Sequence, residues 1–451
     1  MQYGYQRFMT EINDSKFAAA HPSLMELTTV FARIGCLSFG GPAGQIGMMH
    51  RILVDEKRWI SEARFMHALN YCMLLPGPEA QQLATYAGWL LHGTRGGIIA
   101  GTLFILPGFV TIVALAAAYA LYQDTHWLPG LLFGLKACVL AIVVEALIRV
   151  AKRALVNRFL LGLSAAAFVA LFFFGLPFPL VIFTAGLMGF LFARKPADKS
   201  MAEETDEQTP PVSLRSRMFG FLSGLVIWQL PLVLIWLFSA PETLATLQSF
   251  FSRMAVVTFG GAYAVLAYVA QVAVDTHGWL KPGEMLDGLA LAEATPGPLV
   301  LVLPYIGFLA AFRHAEWLNP MFAGVLGASI TAWATFVPSF IFIFLGAPYV
   351  EKLRNNRALS AALDAITAAV VGVILNLSIW FGLHVLFGQV ERVPLIPSLN
   401  LSLSWPVWAT LDPLALGLFI LSLLMLTRWK LGMVPVLALG MAAGVFRLWL
   451  I

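Results

Sequence analysis

Phe39-Gly40-Gly41-Pro42 and Pro76-Gly77-Pro78 interrupt two stretches that are otherwise apolar enough to lie in a membrane. Both triplets return, as Phe259-Gly260-Gly261 and Pro296-Gly297-Pro298. Glycine relaxes the backbone and proline removes a donor, so each cluster breaks a helix. Broken helices at membrane depth are tolerated only where protein buries them or where they line a cavity. Four such breaks in one chain point to a built pathway.

The recurrence is a duplication. Shifting the chain by 220 aligns 31–78 with 251–298 without a gap and gives 12 identities in 48 positions, against roughly 3 expected from average composition. The matches include Phe31/Phe251, Arg33/Arg253, Asp55/Asp275 and Trp59/Trp279. Pro107 has its counterpart in Pro338, and the stretch from Leu131 resembles that from Leu359.

Composition sets the class. Of 451 residues, 59% are hydrophobic and 12% charged, and the mean hydropathy is +0.82. A soluble domain carries about 25% charged residues, so the chain reads as an all-α polytopic membrane protein. The net charge of +4 sits in loops and reads as orientation in the bilayer, with no nucleic-acid partner. Cys36, Cys72 and Cys138 are too scattered for a metal site or a disulfide framework.

Residues 1–23 mix charges, show no signal peptide, and read as an N-terminal cytoplasmic segment. The first repeat is expected over 24–194, with broken elements at 24–54 and 61–92 and apolar spans near 98–122, 131–153, 158–174 and 180–194. A polar linker, 195–216, cannot bury a core. An inserted span at 217–239 precedes the second repeat, 242–451, which closes with spans at 412–427 and 433–450.

The six elements of the first repeat plus the inserted span separate equivalent positions. An odd number puts the second repeat on the opposite side, which makes the pair inverted. Charge agrees: with the N-terminus inside, Arg95, Arg149, Lys152, Arg153, Arg158, Arg428 and Lys430 fall inside, while loops 123–130 and 175–179 carry no Lys or Arg. The C-terminus then lies outside. Lys57 and Arg58 fall inside only if 24–54 re-enters instead of spanning. An inverted repeat with broken helices is the construction of secondary transporters. Gly and Pro used only for close packing and kinks is the other reading, and two motifs each repeated at one spacing weigh against it.

A helix that starts at a break aims free amides and a partial positive charge into the gap, which favours anions. Gly40, Gly41, Gly77, Gly260, Gly261 and Gly297 mark those starts, and Ser38, Asn70, Gln81, Gln82 and Thr258 supply neutral donors. Arg33 and Arg253 either balance the charge of a bound dianion or snorkel to the interface. Lys136 and Asp364, at equivalent positions, are read as a charge pair or as separate counter-charges. Glu79 and Glu293 are read as proton-coupling residues or as local caps.

The sequence has no H-E-x-x-H, G-x-S-x-G or G-x-x-x-x-G-K-[ST]. An enzyme is therefore not expected, nor a cofactor or metal, and any transport runs on gradients or exchange. A membrane-embedded reductase would need a redox site that three isolated cysteines do not make.

FGGPAGQIGMMHR (39–51), the block WISEARFMHALNYCMLLPGPEAQQLATYAGWLLHGTRGG (59–97), and TFGGAYAVLAYVAQ with LAEATPGP (258–271, 291–298) resemble the chromate ion transporter family in its long, two-repeat form. The second FGG is followed by Ala262 where the first has proline. The resemblance covers nearly the whole chain. It implies antiparallel halves and export of chromate across the bacterial inner membrane, giving chromate resistance. It also implies sulfate as competitor or exchanged ion. A sulfate- or molybdate-type transporter with chromate as an opportunistic substrate, and a passive anion channel, stand as alternatives. Expected partners are these oxyanions and the lipid bilayer, with a homodimer left open.

Overall fold

In the computed structural model the described residues are 22–39, 41–123, 125, 127–192, 214–259, 262–346, 357–396 and 401–450. Gly40, Gly260, Gly261, most of the N-terminal segment and nearly all of the polar linker lie outside them.

The first repeat opens with α1 (Leu24–Leu37), α2 (Gly41–His50), a π-helical turn over Arg51–Glu56, and α3 (Glu62–Cys72). Ser23 and Glu26 start α1 with a reciprocal capping box. Beyond the PGP turn comes α4 (Glu79–Tyr122), which reverses at His92 and Gly93, the latter at φ +60°. The reversal is tight because Gly88 and Gly96 let the two limbs touch backbone to backbone. Thirteen residues before the reversal reach only about 20 Å, short of the ~30 Å hydrocarbon thickness. Three apolar helices follow: α5 (Trp127–Ala154), α6 (Arg158–Phe172) and α7 (Phe178–Leu191).

After α8 (Leu214–Leu237) the same order returns. It runs α9 (Glu242–Val257), α10 (Ala262–Gln271), a π-helical turn at Val272–Thr276, and α11 (Pro282–Glu293). Past the second PGP turn, a 3-10 turn at Leu299–Leu301 leads into α12 (Val302–Arg313) and then α13 (Pro320–Gly346). These last two reproduce the hairpin of α4, with Gly307 and Gly327 at the close approach. Next come α14 (Arg357–Leu386), α15 (Pro413–Thr427) and α16 (Met433–Leu450). Even the π-helical turn recurs, so the duplication extends to local backbone irregularities.

Packing between the repeats is reciprocal. Helix α5 packs on α15 and α16, and its counterpart α14 packs on α6 and α7. Small residues allow this: Gly134 meets the backbone of Gly440, Gly130 that of Gly444, and Gly189 that of Ala361. In lipid, such close approach replaces the hydrophobic drive that water would supply. Among the described residues five helices are long and apolar enough to cross a membrane: 79–122, 127–154, 218–237, 320–346 and 358–386.

Between α14 and α15 the chain forms an antiparallel hairpin of β1 (Val390–Ile396) and β2 (Leu401–Pro406), with Arg392 opposite Ser404. The Leu-Ser-Leu-Ser-Trp alternation at 401–405 has the period of two that a strand needs.

Candidate functional site at the crossed breaks

Each break of one repeat is tied to a break of the other. The Gly77 amide donates to the Thr258 carbonyl at 2.8 Å, and the Gly297 amide donates to the Ser38 carbonyl at 2.8 Å. Ser38 and Thr258 are equivalent, as are Gly77 and Gly297. The turns sit at φ +117° and +97°, which only glycine adopts without strain. Ser38 and Thr258 turn their hydroxyls back onto the Ile34 and Met254 carbonyls, each at 2.6 Å.

The proline-kinked helices close each crossing from behind. Gly108, which follows Pro107, lies against the Pro296 carbonyl. Ser339, which follows Pro338, has its Oγ where a Cβ on Gly77 would fall 2.8 Å away. Behind the second turn not even a methyl group fits, because a Cβ on Gly108 would collide with the Pro296 carbonyl.

Two glutamines of the first repeat fasten the two turns. Gln45 Nε2 donates to the Gly297 carbonyl at 2.6 Å, and Gln82 Nε2 to the Pro76 carbonyl at 2.7 Å. Gln81, equally buried, donates to Thr85 Oγ1 at 3.2 Å. The Oε1 atoms of all three accept no hydrogen bond among the described residues. A buried polar atom left so is uncommon and marks a place where water or a ligand completes the set. The first intrahelical bond of α4 is Gln82 N to Pro78 O at 3.0 Å, so the amides of 79–81 begin the helix without an intrahelical acceptor.

Gly77, Pro78, Met254, Ala255, Thr258, Val265, Val300, Leu303 and Thr335 enclose a void of only about 10 Å³. That is about one water and far too small for a tetrahedral oxyanion. The crossing is shut.

The other sequence candidates are distributed around it. Glu79 is half-buried directly after Pro78, and Glu293 is buried with Tyr263 donating to it at 2.7 Å. Asn70 is exposed on α3 and Gly41 half-buried at the start of α2. Arg33 and Arg253 lie on the exposed faces of α1 and α9, opposite the faces that carry Ser38 and Thr258. The structure does not bring them to the crossing. Lys136 forms its ion pair with Asp287, 2.9 Å away, and Tyr119 donates to the same carboxylate at 2.9 Å. Asp364 is exposed on α14. Nearby, Arg313 grips Glu284 with two bonds of 2.7 and 2.8 Å. Gln45, Asp287 and Tyr263 were not singled out in the sequence. Gln45 had one signal: it is the only long polar side chain among the nine residues that begin α2.

The profile of the chromate transporter family matches residues 25–190 and 245–445, one block per repeat. A probable chromate transport protein of Synechococcus elongatus is 30% identical over 365 residues, covering 78% of this chain and 84% of that protein. The chromate transport protein of Cupriavidus metallidurans is 30% identical over 353 residues, covering 78% and 81%. An uncharacterised transporter of Methanocaldococcus jannaschii is 26% identical over 368 residues, covering 81% and 86%. No solved structure matches the chain.

Proposed function

The chain belongs to the chromate transporter family, and from that premise we propose that it is a secondary transporter exporting chromate across the bacterial inner membrane, driven by a gradient or by anion exchange. The observation that carries this reading is the reciprocal pair of bonds, Gly77 to Thr258 and Gly297 to Ser38. They bring each PGP turn to the residue just before the FGG motif of the other repeat, which supports a shared midplane site.

The repeats are inverted and the N-terminus is cytoplasmic. This rests on the odd number of elements between equivalent positions and on the positive charge of the loops that parity puts inside. Reciprocal packing of α5 and α14 is what a two-fold relation produces.

Chromate enters when the crossing opens. Gln45 and Gln82 then release the Gly297 and Pro76 carbonyls, and their Nε2 groups turn to the oxygens of the dianion beside the first-turn amides of α4. The same amides hold the site shut when it is empty and donate when it is filled. Alternating access follows as one repeat rocks against the other. Glu79 and Glu293, next to the two turns, are the proposed proton-coupling residues.

Purified protein in proteoliposomes is expected to move chromate under imposed pH, potential or sulfate gradients. Flux no greater than that of empty vesicles under every gradient sinks the proposal. Inversion has its own test: cysteines placed at Lys57 and His277 label from opposite sides of the membrane, and labelling from one side overturns it.

A further inference from the structure

One cavity lies outside the crossing and abuts it. A cleft of about 840 Å³ opens between α8, α9 and α10, beside the start of α7. Its polar lining includes Gln229, Ser249, Ser252, Arg253, Thr276 and His277, and no carboxylate lines it. Arg253 is exposed there and donates from Nε to the Ser249 carbonyl at 3.2 Å, with no acidic partner among the described residues. The His277 ring lies flat on Trp279, 4.3 Å between centroids at 12°. A guanidinium with unspent donors, in a recess with hydroxyls and without acids, attracts anions and offers them charge-assisted bonds.

The cleft leads somewhere. Met254 lines it and also lines the small void at the crossing, together with Gly77, Pro78 and Thr258. Met254 is thus a wall of both spaces. The outer wall is α8, the inserted span with no counterpart in the first repeat. It is held there by Trp228 Nε1 donating to the Ala334 carbonyl at 3.0 Å and by Gln248 Nε2 donating to the Trp228 carbonyl at 3.1 Å. The first repeat carries Arg33, Lys57 and Trp59 at the matching positions, with Lys57 Nζ 5.8 Å from the Trp59 ring centre.

We infer that this cleft is an antechamber that gathers tetrahedral dianions for the crossing, with Arg253 as the capturing charge and Met254 as the side chain between antechamber and break. The inference rests on the transport reading for where the anion goes. The preference for anions rests on the lining of the cleft alone. It also gives the inserted span a role, as the wall that turns an exposed helix face into a recess.

The test uses full-length protein in detergent, so that both sides are accessible. Cys36 is the exposed native thiol and Cys72 and Cys138 are buried, so the background is Cys36→Ser. Into it goes Ser249→Cys, with Ser252→Cys as a second position should the first not fold. Normalised to a free thiol, an anionic methanethiosulfonate reagent is expected to label the cleft about tenfold faster than a cationic one. Sulfate or molybdate, which do not oxidise thiols, should slow it. Arg253→Gln should remove the preference and Arg253→Lys should keep it. Equal rates for the two reagents, or no slowing by either dianion, overturn the antechamber. Met254→Trp is expected to slow chromate flux with the labelling preference intact; unchanged flux takes Met254 off the path. Labelling does not depend on chromate movement. Absent flux with intact preference would sink the transport reading and leave the cleft standing.

Discussion

Gly77 and Gly297 make the same bond, at the same length, to equivalent carbonyls, yet the side chains around them differ. Where the first repeat has Gln45, Glu79, Gln81 and Gln82, the second has Val265, Leu299, Leu301 and Val302. Glu293 has Met73 as its counterpart. The first repeat thus fastens both turns, through Gln82 to its own and Gln45 to the other. The second supplies most of the apolar wall, with Val265, Val300 and Leu303 around the void. Duplication kept the backbone device and let the chemistry divide. A site where two copies meet needs each polar group once, and a second set would add buried amides that lack acceptors.

The largest effect should come from a place where the repeats already differ. Lys136 has Asp364 as its counterpart and pairs with Asp287. Asp287→Ala strands the lysine and is expected to destabilise by about 3 kcal/mol or more, seen as a lower thermal unfolding midpoint in detergent. The double change Lys136→Met with Asp287→Leu should recover most of it. Full stability in the single variant would mean that the pair holds nothing together.

Next is the backbone that the repeats share. Gly77→Ala forces a positive φ and sets a Cβ 2.8 Å from Ser339 Oγ and 2.9 Å from Gln82 Nε2. Gly297→Ala sets one 2.9 Å from Leu301 Cδ1. Each should cost about 1–3 kcal/mol and abolish most transport. If one is tolerated, the turns are equivalent in geometry and unequal in use.

Smaller is the exchange of side chains between repeats. Gln45→Val and Gln82→Val copy the second repeat into the first. Each should change stability by about 1 kcal/mol and cut chromate flux several-fold, while Gln81→Leu should cut it less. Flux that survives both valines removes the glutamines from the site. Smallest is Ser23→Ala. It removes a capping box that α9, which starts after Pro241, does without, at about 0.5–1 kcal/mol with unaltered flux.

The breaks were legible because Gly and Pro act locally, whatever surrounds them. What each break touches was not, since Gly77 meets Thr258 across the repeat boundary and no local pattern encodes that distance. The reversal at His92-Gly93 was legible too, since His92-Gly93-Thr94-Arg95-Gly96-Gly97 separates the element ending at 92 from the span near 98–122. Asp287 resembles a loop acid until α5 brings Lys136 to it. The facing of Arg33 was available: Leu27, Phe31, Ile34 and Gly35 mark one buried face of α1, and a helical period puts residue 33 on the other.

The two clasps at the crossing are the same bond made twice. As backbone contacts, these two bonds do not tell one repeat from the other. Two side-chain amides, both from the first repeat, do tell them apart. Gln45 reaches across to the turn of the second repeat and Gln82 holds the turn of its own, at 2.6 and 2.7 Å. The asymmetry between two like clasps comes from side chains that one repeat carries and the other does not.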